Sequence, residues 1–392
     1  MSDGVLSGVR VIDFGRYVAG PYCAALLGDH GADVIRVEKA EGSEDRYLLP
    51  VTETGEGALF LQVNRNKRSV ALDPTSPEGR LIVERLVKTA DVVVANLPPA
   101  TLASMGLDYE TLKALKADII LVNISAFGQT GPWRDRLGFD SVGQAMCGSV
   151  YMTGEEGAPY RAQANWVDFS TAQNAAFGTM LALFERSRTG LGQEVRADLL
   201  SAAITVNNAV LIEQAMVAPD RRPQGNRGAN SAPTDLFQAR DGWLLTHVVG
   251  QPLFKRWARL MGEDHWLADP RFASDAARGE NGAIISARMA SWCAELGRDE
   301  ALERLAQAGI PAGPVLRPSE TLEHPQVTAS GMMSAVDFPG AAASAPVAMT
   351  PFSLSRTPGA LRRRPPTLGE HSDEILREIG CADTVSCDGP SN

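Results

Sequence analysis

No basic block interrupts the 392 residues: Lys and Arg total 37 against 47 Asp and Glu, a formal net charge of −10. Binding nucleic acid needs a cationic surface to neutralise phosphates, so no nucleic-acid partner is expected. Cysteine is scarce as well. Its five copies, Cys23, Cys147, Cys293, Cys381 and Cys387, fall at no paired ligand spacing. That argues against a zinc site and against a disulfide framework, and suits reduced thiols in the cytoplasm. No apolar run approaches the length of a bilayer-spanning helix, so no membrane partner is expected. The opening "MSDGVLSGVRVIDFG" lacks a charged-then-apolar export signal and enters a strand pattern almost at once, which again points to a cytoplasmic protein. No internal repeat is present.

What is there is ordinary for a globular chain, with 44% hydrophobic and 21% charged residues, at a length that exceeds the usual reach of one core and predicts two domains. "GVRVIDFG", "GPYCAALLGDHG" and "ADVIRVEK" read as strand, helix and strand, the helix opened by Pro21. "SVALD", "SPEGRLIVERLVKTA", "DVVVANL", "YETLKALKA" and "DIILVNISAFG" continue the alternation. Apolar strands separated by helices predict an α/β fold with a doubly wound, Rossmann-like parallel sheet, whose ligands gather at the carboxyl ends of the strands. A Gly- and Pro-dense loop, "GQTGPWRDRLGFD", leads into one helical stretch, "SVGQAMCGSVYMTG", and then to a long helix over "FSTAQNAAFGTMLALFERSRTGLG". "QEVRADLLSAAITVNNAVLIEQAM" reads as a strand and a further helix. "APDRRPQGNRGANSAPTD" is a loop or linker, and beyond it "GWLLTHVV", "QPLFKRWARLMG", "SARMASWCAELG" and "RDEALERLAQAG" suggest a smaller α/β domain. The expected division is residues 1–200 completed by 330–392, a linker over 201–225, and a small domain with its return linker over 226–329. The tail "CADTVSCDGPSN" is expected to be poorly ordered.

The first βαβ unit could hold a dinucleotide, with Glu38 on a ribose hydroxyl. Its glycines disagree. Gly15 and Gly20 are separated by four residues and Pro21 follows, whereas that fingerprint requires G-x-G-x-x-G so that backbone can approach a pyrophosphate. Arg16, inside the turn, is placed to meet a phosphate, or is a solvated surface arginine. In "NWVDFSTAQNAAFGTM" a single carboxylate, Asp168, precedes small and apolar residues at helical spacing, Ala172, Ala176 and Met180. On local pattern it reads as a helix cap.

Several stretches taken together resemble the family III CoA-transferases, the group that contains formyl-CoA transferase, carnitine CoA-transferase and 2-methylacyl-CoA racemase. They are "GVRVIDFGRYVAGPYCAALLGDHGADVIRVEKAEGSEDR", "NRNKRSVALD", "ADVVVANLPPATLASMGLDYETL", "SAFGQTGPWRDRLGFDSVGQAMCG", "NRGANSAPTDLFQARDGW", "AGIPAGPV" and "LGEHSDEIL". The resemblance covers nearly the whole chain in order. It implies that Asp168, in a loop after the "GQAMCG" helix, is a nucleophile that attacks an acyl-CoA thioester and carries CoA as an aspartyl thioester to an acceptor acid. A carboxylate, with a pKa of about 3.9 in free peptides, is expected to be ionised at neutral pH and to need no separate base. A cap position and a nucleophilic role are compatible, because the positive end of a helix favours the ionised carboxylate.

Coenzyme A, as the acyl-CoA substrate, is the one cofactor implied, with no metal. Matched position by position, the family's CoA contacts fall on Arg16, Ala19, Lys39, Asn64, Lys67, Asn96, Leu97 and Arg136. The sequence departs from formyl-CoA transferase at Ser104, where that enzyme has a basic residue, at Val18, where it has glutamine, and at "THVVGQP", where it has a glycine run. These differences argue against formyl-CoA or oxalate as substrates and leave His247, Val248 and Gly250 as candidates for a covering loop, or as residues without a role. Trp166, Tyr160 and Met152 suggest a partly apolar acyl site or core packing. A racemase must move a proton beside the thioester and carries histidine in a "GHD" stretch; Phe139 stands there in "GFD" and cannot exchange one, which favours CoA transfer. A non-catalytic CoA-binding protein is the reading from another class. The resemblance also implies an interlocked homodimer.

Overall fold

The computed structural model describes residues 4–381; Cys387 and most of the tail expected to be poorly ordered lie outside that range. The chain divides into two compact units, one of residues 1–147, 162–208 and 330–392, the other of 148–161 and 209–329.

In the first unit, strands β1 (Arg10–Asp13), β2 (Asp33–Glu38), β3 (Lys67–Ala71), β4 (Val92–Ala95), β5 (Ile120–Ser125) and β6 (Glu194–Asp198) form one sheet in the order β3-β2-β1-β4-β5-β6. Every neighbouring pair is parallel, with Ile12 opposite Ile35 and Val93, for example. Both faces are covered, which is why apolar residues stand on both sides of β1, β4 and β5, with Val11 and Ile12, Val92 and Val93, and Leu121 and Val122 all buried. On one face Val11, Val34, Val92, Val94 and Val122 share a core with α1 (Ala19–Asp29) and α7 (Trp166–Thr189). On the other, Ile12, Ile35, Val93 and Leu121 pack with α3 (Pro77–Thr89), α5 (Tyr109–Leu115) and the C-terminal helix α12 (Ser372–Glu378).

Local chemistry sets the helix ends. Ser76 caps α3 by accepting from the Gly79 N–H with Pro77 at the first turn, and Asp108 caps α5 through the Thr111 N–H. Helix α1 is buried along its whole length and is made of small and apolar residues apart from Asp29, which is paired with Arg65; Tyr22 meets Phe169 of α7 edge-on at 4.8 Å. Helix α7 ends at Gly190 in the left-handed conformation, φ 72°. The short helices α2 (Ala58–Val63) and α4 (Pro99–Ser104) complete the β2–β3 and β4–β5 connections.

Two sequence expectations change here. The stretch "SVGQAMCGSVYMTG" is not one helix: α6 (Asp140–Met146) stops before Gly148, whose φ of 87° breaks the turn, and residues 149–152 form a separate turn of helix in the second unit. The helix expected in "QEVRADLLSAAITVNNAVLIEQAM" is α8 (Leu199–Val217), and it takes up most of the linker expected over 201–225, of which only the part from "APDRRPQGN" onward is not helical. By length and composition α8 could cross a membrane, a run the sequence reading had not picked out, since Asn207, Asn208, Glu213 and Gln214 punctuate it.

The second unit holds a small antiparallel sheet of β7 (Thr234–Ala239), β8 (Gly242–His247) and β9 (Ala312–Pro314), in the order β9-β8-β7. Its core gathers Phe237, Leu244, Phe254, Trp257, Phe272 and Met289 around the helices α9 (Gln251–Met261), α10 (Gly282–Ala294) and α11 (Arg298–Gln307).

Candidate active site

At the carboxyl ends of β1, β4 and β5, within the first unit, a cavity of about 330 Å³ is lined by Arg16–Ala19, Asn96–Pro99, Ile124–Ala126, Arg134–Phe139, Asp168 and Leu199. This is where a doubly wound sheet offers a crevice.

The turn after β1 is built to a tight specification. Asp13 is fully buried; its Oδ1 accepts from the Gly15 N–H at 2.7 Å and its Oδ2 from Lys67 Nζ at 2.7 Å. A Cβ on Gly15 would fall 2.7 Å from Asp13 Oδ1 and from Pro21 Cδ, so only glycine fits. Asn96, just past β4, grips the next residue from both sides: its Oδ1 accepts from the Arg16 N–H at 2.7 Å and its Nδ2 donates to the Arg16 carbonyl at 2.8 Å. Tyr17 follows with φ 62°, a left-handed conformation that costs a non-glycine residue on the order of 1 kcal/mol or more and persists because the clamp holds it. Arg16 donates only to the Gly15 and Val37 carbonyls, both at 3.3 Å. Among the described residues no carboxylate pairs with it. Burial, with Arg36 alongside, holds its pKa below the ordinary arginine value. A half-buried guanidinium on a cavity wall, within ion-pair distance of no carboxylate among the described residues and influenced by Asp45, Glu38 and Asp13 only from further off, is suited to a phosphate or a carboxylate.

Asp168 is buried, 9% exposed. It is not a helix cap: α7 begins at Trp166, the cap is Asn165 without a side-chain bond, and Asp168 is the third residue of the first turn. The capping is done from elsewhere. Asp140, first residue of α6, accepts from the Val167 N–H at 2.7 Å and the Asp168 N–H at 3.0 Å through Oδ2, while its Oδ1 takes a short bond from Gln144 Nε2. Gln144 Oε1 in turn accepts from the Ala162 N–H at 3.0 Å. The expectation of an ordinary, ionised carboxylate is also corrected. Burial first, and the Asp140 charge second, push Asp168 up to about 7.

Arg16, Ala19, Asn96, Leu97 and Arg136 therefore share the cavity with Asp168. Arg136 lies exposed with its guanidinium 4.1 Å from the centre of the Trp133 ring. Three expected CoA contacts do not join them. Lys67 is fully buried and spends its three N–H donors on Asp13, the Pro21 carbonyl and Asn64. Asn64 accepts from Lys67 and Arg36 and donates to the Phe60 carbonyl, so both are structural props beneath the turn. Lys39 is outside the cavity lining, exposed and paired with Glu44 at 3.0 Å. Glu38 is bound to Arg46 at 2.5 Å inside the protein, which removes it from any ribose role. Ser104 is at the end of α4, its hydroxyl turned back to the Thr101 carbonyl. His247 is exposed at the end of β8, whereas Val248 is buried in the second unit's core and the Gly250 N–H is bound by Asp275, so Val248 does not form a cover. Tyr160 and Met152 belong to the second unit, and Trp166 packs against the core of the first.

Sequence reasoning missed Asp140, Tyr17 and Gln144. A carboxylate that serves another helix's first turn, as Asp140 does, leaves no signal in its own local sequence.

A cavity at the strand ends with a buried carboxylate and arginines outside any ion pair among the described residues is suited in charge to an anionic ligand. The chain belongs to CoA-transferase family III, whose profile matches residues 6–372. It is 36% identical over 391 residues to the succinate–glutarate CoA-transferase of Agrobacterium fabrum, covering 95% of each chain. It is 34% identical over 377 residues to the succinyl-CoA–D-citramalate CoA-transferase of Chloroflexus aurantiacus, covering 95% of this chain and 94% of that one. The crystal structure of a CAIB/BAIF family protein from Brucella suis superposes with a TM-score of 0.84 at 33% identity, covering 96% and 99%. The protein is thus an acyl-CoA:carboxylate CoA-transferase, and its substrates are CoA thioesters and carboxylic acids.

Proposed function

We propose that Asp168 is the nucleophile. Its carboxylate oxygen attacks the thioester carbonyl carbon, the C–S bond breaks, and CoA leaves as thiolate, giving a mixed anhydride. The thiolate then attacks the Asp168 acyl carbon and expels the donor's carboxylate, leaving an aspartyl-CoA thioester. The acceptor carboxylate attacks that thioester and forms a second anhydride with return of the thiolate. Attack of the thiolate on the acceptor's acyl carbon frees Asp168 and completes the exchange. The observation that carries this reading is a single buried carboxylate in a cavity lined by three arginines, of which Arg134 is paired with Asp135 while Arg16 and Arg136 form no ion pair among the described residues. Arg16, Ala19, Asn96, Leu97 and Arg136 hold the CoA moiety, by guanidinium charge and by the backbone of the clamped turn. Phe139 lines the same cavity and has no exchangeable proton, which favours transfer over racemisation.

Relatives named for succinyl-CoA, citramalate and glutarate make a short dicarboxylic acid the first acceptor to try. A homodimer is part of the proposal. Phe177, Leu181 and Phe184 recur along one face of α7 at 54% to 65% exposure, an apolar stripe suited to a second copy. An eluted mass of one chain in gel filtration would contradict it. Incubation with acyl-CoA and hydroxylamine tests the chemistry: trapped acyl or aspartyl hydroxamate is expected, and CoA binding without any hydroxamate would leave a binding protein.

A further inference from the structure

The Asp140 carboxylate is buried at 5% exposure and makes three hydrogen bonds, yet it touches no cation among the described residues. A buried charge without a counter-ion is costly and calls for a reason. Its bonds supply one. The first turn of a helix presents N–H groups that would ordinarily stabilise a carboxylate in that turn. Here two of them, on Val167 and Asp168 itself, are directed at Asp140 instead, and no hydrogen bond to the Asp168 carboxylate is present among the described residues.

Resting on the nucleophile reading above, we propose that Asp140 is a positioning residue that fixes the first turn of α7 and biases Asp168 toward its acylated, uncharged states. Ionised Asp168 faces a like charge across that turn. The anhydride and the aspartyl-CoA thioester carry no charge on Asp168, so forming either relieves the repulsion. No new bond is made or broken by Asp140; the same carboxylate oxygen attacks and the same thiolate leaves. Asp140 raises the energy of the reactant without touching the reacting atoms. The raised Asp168 pKa, with Asp140 as its second cause after burial, agrees with this geometry. The other charged groups on the cavity wall are Arg16 from the β1–α1 turn and Arg134, Asp135 and Arg136 from the β5–α6 loop. Tyr17 is the one phenol there, and α1, β5 and α8 contribute Ala19, Ser125 and Leu199, none ionisable.

The test compares wild type with Asp140→Asn, which keeps an oxygen for the two N–H groups but removes the charge, and with Asp140→Glu, which keeps the charge. Carbon-13 NMR of the aspartate carboxyls identifies Asp168 by the resonance lost in Asp168→Asn and needs no substrate. Its midpoint is expected near 7 in wild type, lower in Asp140→Asn and restored toward wild type in Asp140→Glu. Mass spectrometry after incubation with succinyl-CoA then reads the share of protein carrying CoA. In Asp140→Asn the acylation constant at high pH should fall about tenfold for each pH unit by which the midpoint drops. A merely structural role would lower the folded fraction and leave the midpoint where it was. An unchanged midpoint in folded Asp140→Asn overturns the proposal while leaving Asp168 as nucleophile. A shifted midpoint with no CoA adduct in wild type, across succinyl-CoA and other acyl-CoA thioesters, overturns the nucleophile reading and with it the bias toward acylation.

Discussion

Replacing Asp168 with asparagine should make this protein more stable, and only above a particular pH. The folded-state pKa of about 7 against an ordinary value of 3.8 is a raised acid. Below pH 3.8 the carboxyl is neutral whether the chain is folded or unfolded, and it costs nothing. As pH rises from 3.8 to 7 the unfolded chain releases the proton while the folded chain keeps it, so stability falls steadily. Above 7 the cost levels off. The interval of about 3 pH units, at about 1.4 kcal/mol each, amounts to about 4 kcal/mol, a large share of the 5–15 kcal/mol typical of a folded domain. Asparagine has nearly the same shape and never ionises, so the variant escapes the cost. Urea unfolding followed by circular dichroism at a series of pH values measures the gap between the two proteins, and the carboxylates that do not interact with Asp168 cancel in the difference, leaving Asp168 with its neighbour Asp140. The expected gap is near zero at pH 3.5 and approaches about 4 kcal/mol at pH 8. A gap that is constant with pH, or that favours wild type at pH 8, would refute the reasoning.

Removing the two bonds that hold Arg16 by Asn96→Ala should loosen the turn at a cost of about 2 kcal/mol, and KM for acyl-CoA should rise on the order of 30-fold with the fold retained. Arg16→Gln should weaken acyl-CoA binding by roughly tenfold to a hundredfold, the loss of one charge-assisted contact at about 1.5–3 kcal/mol, read by calorimetry with CoA itself. Lys67→Met should behave in the opposite way to a CoA contact. It leaves the Asp13 charge buried without its partner, costs about 3–5 kcal/mol of stability, and is measured as a lower unfolding midpoint rather than a changed KM.

Much of the sheet could be read from the chain because β1, β2, β4 and β5 are short stretches rich in Val and Ile bounded by helix signals, with apolar residues on both faces. Elements held by tertiary contacts were harder to see. Strand β3 opens with Lys67 and Arg68, charged residues that enter a sheet only because Asp13, Asp33, Glu374 and Glu378 await them. The same blindness affected the site. The resemblance implied CoA contacts at Asn64 and Lys67, and position along the chain could not reveal that both are buried. Asp168 lines the cavity, and its environment depends on Asp140, 28 residues earlier. Local pattern made it a cap and an ordinary acid, and the fold makes it neither.

The most direct test of the central claim is intact-protein mass spectrometry of wild type and Asp168→Ala after incubation with acyl-CoA thioesters, with and without borohydride. The account predicts a CoA adduct on wild type that borohydride removes by reducing the thioester at residue 168, and no adduct on the variant. A CoA adduct of equal amount on Asp168→Ala, or none on wild type with any thioester, would contradict it.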